Sequence, residues 1–187
     1  MSTRDALVEA TADLLWERGY SATSPAMILA RSGAGQGSMY HHFRGKADLA
    51  RAAMQHAADE MTTGLETADD PSLPALERVR AFLGSLRDPL RGCRIGRLVQ
   101  DAEVVDDDDL RGVADQYLHG LEQWVTDVLD AGRAAGELRP DADTAAAAAM
   151  VVAVVQGGFV LARARQDAAP QQAAVRGALA ALDALAV

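Results

Sequence analysis

At 187 residues the chain has room for one or two compact domains with their own cores, and a 49% hydrophobic content excludes a disordered protein. Aromatic residues make up only 4% while Ala, Val and Leu recur at helical spacing, which favours packed helices over sheets. The net charge of -9, taken alone, argues against a nucleic-acid partner. Residues 1–51, however, hold six Lys and Arg (Arg4, Arg18, Arg31, Arg44, Lys46, Arg51) against five acids, a net of +1, so the acidity belongs to the remainder, which carries -10 by subtraction.

Thr3 to Arg18 is predicted helical, with Leu7, Ala10, Leu14 and Leu15 on one face, acids near its start and Gly19 as its stop. Ser24-Pro25 is a helix-start signal and Gly33 a stop, so the second helix is short. A third short helix runs from Gln36 or Gly37 through His42, and Arg44-Gly45 ends it before the next starts near Lys46. Two short helices joined by a glycine-containing turn, preceded by a longer supporting helix, form a helix-turn-helix unit.

From Lys46 a stripe of Leu49, Ala53, Ala57, Met61 and Leu65 continues to about Leu65, closed by Asp69-Asp70-Pro71. Leu76, Val79, Leu83 and Leu86 mark a helix that stops before Pro89, and Arg94 to Glu103 form a further short one. Asp106 to Asp109 precede the most regular stripe, from Leu110 to Leu129, ending near Gly132 or Gly136. Asp141 or Asp143 caps a long Ala/Val helix to about Arg165, and Pro170 opens a last one carrying Val175, Leu179, Leu182 and Leu185. Within that Ala/Val helix, Ala145 to Ala162 is long enough to suggest a membrane span, but Ala and Gly contribute little transfer free energy, so no membrane is expected. The start of the chain lacks the continuous apolar stretch of a signal peptide, and one cysteine, Cys93, cannot form an intramolecular disulfide; a cytoplasmic location is expected.

The stretch Gly33-Ala34-Gly35-Gln36-Gly37-Ser38-Met39-Tyr40-His41-His42-Phe43-Arg44-Gly45-Lys46-Ala47-Asp48-Leu49, with Gly19-Tyr20 and Ala22-Thr23-Ser24 upstream, resembles the recognition region of TetR-family regulators. The resemblance implies an all-α fold of about nine helices, with an N-terminal helix-turn-helix domain (1–48) and a C-terminal helical ligand-binding and dimerisation domain (49–187). It also implies a homodimer joined through its last two helices, a double-stranded DNA operator and a small-molecule effector, with no cofactor. The sequence departs from the family's usual pattern at Ala26, where a polar residue often reaches DNA, at Leu29, where Ala is common, and at Gly35, where a capping Ser or Thr is common.

A short helix in the major groove brings its N-terminal side chains to base edges while flanking groups hold phosphates. Gln36, Gly37 and Ser38 stand at that N-terminus, and the two side chains have suitable donors and acceptors. Tyr40 and His42, about 200° apart around the helix, reach different phosphates, and Lys46 adds a point charge. Thr23 and Ser24 offer hydroxyls and the helix-start amides behind them. Ser24 also reads as a plain cap, Tyr40 as core packing, and His41 as either a contact or a structural residue. Phe43, Met39, Ile28, Leu14, Leu15 and Tyr20 are expected to form the small core that fixes the recognition helix.

For the effector, the expected apolar lining is Met61, Leu65, Phe82, Leu86, Cys93, Leu98, Tyr117, Leu121 and Trp124, with Gln100, His119 and Gln156 as polar contacts. Four consecutive acids at Asp106 to Asp109 suit helix capping better than metal, since each points in a different direction. Cys93 lies among Arg91, Arg94 and Arg97, which suggests a redox thiol, but no resolving partner is visible. The expected function is therefore repression relieved by a small apolar or amphipathic effector. An enzyme built on the same pocket lacks a visible nucleophile–base pair or metal-spaced ligand set. An architectural helix-turn-helix protein without effector is the remaining class.

Overall fold

The computed structural model describes residues 2–86 and 88–187. Among these it contains nine α-helices and one 3-10 turn, with no strand beyond a single bridge between Leu138 and Ala186. The helices are α1 (Thr3–Arg18), α2 (Pro25–Ser32), α3 (Gln36–His42), α4 (Lys46–Ala68), α5 (Ala75–Ser85), α6 (Ala102–Asp106), α7 (Asp108–Ala134), α8 (Thr144–Arg165) and α9 (Ala169–Asp183).

Local chemistry sets most of these boundaries. Ser2 and Asp5 form a reciprocal capping box at the start of α1, and Gly19 ends it at φ 86°. Ser24 caps α2 through its side chain, Pro25 takes the first helical position, and Gly33 ends the helix in the left-handed region at φ 69°. The helix predicted over Arg94 to Glu103 is instead a run of turns, a 3-10 turn at Leu98–Gln100, and the separate α6. Asp101 is the reason: its carboxylate accepts from the Glu103 amide and starts a new helix rather than continuing an old one. Asp107 does the same for α7, its Oδ1 accepting from the amides of Asp109 and Leu110 at 3.0 and 3.1 Å. The capping reading of the acidic run rests on that geometry.

The chain divides into two compact units: the residues up to Thr62 together with Cys93–Tyr117, and Thr63–Gly92 together with Leu118–Val187. In the first, Leu14, Leu15, Tyr20, Ile28, Met39 and Phe43 are all buried, the small core expected from the sequence. Leu49, Ala53, Met54 and Ala57 of α4 are buried as well, as are Ile95, Leu98, Val104 and Leu110 of the later segment.

In the second unit Val79 and Leu83 of α5, Val125, Val128 and Leu129 of α7, Val151, Val155 and Phe159 of α8, and Leu182 of α9 are buried. Gly132 on α7 allows a close approach to α5, since a Cβ there would stand 2.4 Å from the Ala75 Cβ. Helix α8 is long and apolar enough to cross a membrane by length and composition alone. Its face carrying Ala147, Ala148, Val151, Val155, Gly158 and Ala162 is buried, and Gly158 lies against Gln171 of α9, so the packing is that of a core helix.

Candidate nucleic-acid interface

Helix α3 is amphipathic over two turns. Met39 is fully buried and Phe43, just past its end, is 5% exposed, so one side is pinned to the α1–α2 scaffold. On the other side Gln36, Gly37, Tyr40, His41 and His42 are exposed, with Ser38 half-buried between them. Tyr40 is 55% exposed, which sets aside its reading as a core residue. The His41 and His42 rings stand edge to face with centroids 4.9 Å apart. Gly35, at the N-cap position, supplies no side-chain hydrogen bond, the physical consequence of its replacing a capping hydroxyl.

Ser24 is exposed and its Oγ accepts from the Met27 amide at 3.3 Å, so the cap is real and the residue still faces outward. Thr23 requires a correction. It is 1% exposed and its hydroxyl donates to the Gly19 carbonyl at 2.7 Å, tying the α1–α2 turn together rather than facing a phosphate.

Lys46 opens α4 with its ammonium 3.9 Å from the centre of the Tyr20 ring. Burial pushes the Tyr20 phenol above its ordinary pKa, and Glu103, Asp107 and Asp101 push it further in the same direction. Around the α3–α4 junction, Arg44, Lys46, Asp48 and Arg51 share an open pocket of about 390 Å³ with Asp107 and Asp109. Asp48 accepts from the Arg44 amide at 3.1 Å, and this bond is the main cause holding its carboxyl below the usual range.

The residues expected to line an effector pocket fall in both units. In the first, Cys93 and Leu98 are buried, Met61 and Tyr117 are half-buried, and Gln100 is exposed. Burial, and secondarily Cys93, raises the Tyr117 phenol above its ordinary value. In the second, Leu121 is buried, Leu65, Phe82, Leu86, Trp124 and Gln156 are half-buried, and His119 is exposed. The exposure of Gln100 and His119 sets them apart from an enclosed lining. Phe82 meets Trp124 edge to face at 5.6 Å, and the indole Nε1 donates to Asp69 at 3.2 Å. Asp69 also accepts a two-pronged bond from Arg78, at 2.7 and 2.6 Å, which was not foreseen because the partners lie on opposite sides of a proline-rich turn.

Asp101 was likewise missed. Its two oxygens accept from the Ser21 amide at 2.8 Å and the Ser21 hydroxyl at 2.5 Å, across a separation of 80 residues that no local pattern signals.

A buried scaffold that presents one short, polar helix next to a capped helix start and a lysine defines a helix-turn-helix DNA-binding protein. The sequence comparisons agree. The model for bacterial regulatory proteins of the tetR family matches residues 7–53, and that for the tetracyclin repressor-like C-terminal domain matches residues 75–178. The chain belongs to the TetR family of transcriptional regulators and is not an enzyme. It is 31% identical over 144 residues to the transcriptional regulator AcuR of Cereibacter sphaeroides, covering 73% of this chain and 65% of that relative's length. It is 28% identical over 163 residues to the transcriptional repressor DhaR of Mycobacterium sp. (strain GP1), covering 84% of this chain and 80% of that protein. Among solved structures, a TetR regulatory protein from Rhodobacter sphaeroides superposes with a TM-score of 0.83 at 28% identity, covering 94% of this chain and 96% of that one. A TetR-family regulator from Cytophaga hutchinsonii superposes at 0.90 with 22% identity, covering 99% and 95%, which speaks to the fold alone.

Proposed function

We propose that this regulator is a repressor that binds a palindromic DNA operator as a homodimer and is released by a small apolar or amphipathic effector. The observation that carries the reading is α3: exposed Gln36, Tyr40, His41 and His42 on one side, with Met39 and Phe43 locked into the core on the other. In this reading residues 1–48 engage DNA, with Gln36, Gly37 and Ser38 at base edges and Ser24, Tyr40, His41, His42 and Lys46 on the flanking backbone. Residues 49–187 carry dimerisation and effector recognition. The exposed Val160 and Leu161 of α8 support an α8–α9 dimer surface, since a partner's apolar side chains would cover them. The aromatic pair Phe82 and Trp124, with the indole anchored on Asp69, supports an effector of apolar or amphipathic character. The effector acts by differential affinity for the DNA-competent and released states.

The test is fluorescence-anisotropy binding to the DNA upstream of the protein's own coding region and to genomic fragments, with a Tyr40→Ala control. Salt-sensitive binding that weakens about tenfold or more in the control is expected. No binding to any fragment would overturn the reading. Operator binding that no apolar compound relieves would favour an architectural role.

A further inference from the structure

The segment Cys93–Tyr117 belongs to the same compact unit as the helix-turn-helix residues. It grips the C-terminal end of α1 at two levels. At the first, the Arg97 guanidinium donates to the Trp16 carbonyl and the Arg94 guanidinium lies 5.5 Å from the Trp16 ring centre. At the second, Asp101 takes hold of the α1–α2 turn. Its Oδ2 accepts from the Ser21 amide at 2.8 Å, its Oδ1 from the Ser21 hydroxyl at 2.5 Å, and the Tyr20 amide adds to the same cradle. A carboxylate filled by backbone and hydroxyl donors fixes a turn more firmly than a lone cap, because each bond is charge-assisted.

What that turn carries makes the contact functional. Tyr20 is 7% exposed and its ring is the platform under the Lys46 ammonium, 3.9 Å away. The Tyr20 carbonyl accepts from the Thr23 amide at 3.0 Å, and Thr23 is the residue before the α2 cap Ser24. Two of the backbone-contacting groups proposed for DNA, Lys46 and Ser24, therefore both hang on the Gly19–Ser21 turn.

We infer that Asp101 is a positioning residue for DNA binding: by holding the Tyr20-Ser21 turn it sets the place of Lys46 and Ser24 relative to α3. The inference rests on the reading of Lys46 as a phosphate contact. It assigns the stretch after Cys93 a part in operator affinity although none of the residues proposed above to contact DNA lies in it. Asn at this position would keep the shape but offer one acceptor oxygen, its amide group facing the turn's donors.

The test is a double-mutant cycle on the intact protein, read by anisotropy on the operator duplex, with thermal unfolding alongside. Asp101→Asn is expected to weaken binding about tenfold, and Ser21→Ala, which leaves the amide bond to Asp101, about threefold. In a Lys46→Ala background both losses should shrink by at least about half on a logarithmic scale, because one of the two groups being positioned is gone and only the part carried through Ser24 is left. Asp101→Glu, which keeps the carboxylate, should recover part of the affinity. Loss that persists in full in the Lys46→Ala background, or operator binding by Asp101→Asn equal to the parent's, overturns the inference. Should Asp101→Asn fail to fold, the Ser21→Ala cycle decides alone by the same criterion. Failure of the parent itself to bind any DNA would instead refute the functional reading.

Discussion

Replacing Asp69 with Asn removes one charge and no volume from the second unit. The carboxylate side chain is 12% exposed and that of its partner Arg78 16%, and the pair is joined by two short bonds, with the Trp124 indole as a third donor. In Asp69→Asn the amide oxygen can satisfy one of these donors while its NH2 group confronts another, and the Arg78 cation loses its counter-charge. Breaking one side of a buried pair costs about 3–5 kcal/mol, and the residual water contact here lowers that to about 2–3 kcal/mol. For a chain of this size each kcal/mol moves the midpoint by about 2–4 °C, so Tm should fall by about 5–10 °C. Circular dichroism melts at fixed protomer concentration measure the fall. A fall below about 2 °C would show that the pair is solvated and contributes no more than a surface salt bridge.

The same pair predicts a pH dependence. The hydrogen bond from Arg78 holds the Asp69 carboxyl below its ordinary value, so its stabilisation is complete above the usual carboxylate range, about pH 4, and is lost as pH falls through the depressed folded value. The Tm gap between parent and Asp69→Asn should therefore be flat near neutrality and narrow under acid; a gap that widens under acid would contradict the sign. Helix α7 supplies a second contrast. Gly120→Ala meets nothing within 4 Å and should gain up to about 1 kcal/mol of helix propensity. Gly132→Ala drives a methyl to 2.4 Å from Ala75 and should lose about 1–3 kcal/mol to overpacking. Urea midpoints that move in the same direction would refute the close approach of α5 and α7.

Where element ends are written in local chemistry, the sequence was enough. Ser24-Pro25, Gly33 and the Asp143 cap set their helices where the periodicity placed them, and the buried set from Leu14 to Phe43 followed from apolar spacing. Helix α4 ran past Leu65 to Ala68 because nothing before Asp69 stops it. The failures have another cause. Thr23 looked like its neighbour Ser24, and only the fold of the α1–α2 turn, which brings the Gly19 carbonyl within 2.7 Å, decides that one hydroxyl is inward and the other outward. The roles of Asp69 and Asp101 depend on partners brought up by tertiary folding, Trp124 across 55 residues and Ser21 across 80. Periodicity carries no information about such pairs.

The charge arrangement around α2, α3 and the start of α4 points to how affinity would be obtained in the proposed complex. Arg31 is held by Glu17 through bonds of 2.8 and 2.9 Å, Arg44 and Arg51 lie 3.5 and 3.9 Å from Asp48, and Asp107 and Asp109 face the same pocket as Lys46. A phosphate approaching these cations replaces an existing partner rather than meeting a bare charge, so each head releases few counterions, at a slope of about -0.9 in log affinity per phosphate neutralised. A single helix-turn-helix unit should then bind weakly. In the proposed dimer, the first contact places the second head at high effective concentration over its half-site, a gain of about 10²–10⁴ in affinity. A duplex with one half-site scrambled should accordingly bind at least about a hundredfold more weakly than the palindrome, with about half its salt slope. Equal affinities for the two duplexes would mean that one head suffices, and that the paired cations are more available to phosphate than their geometry implies.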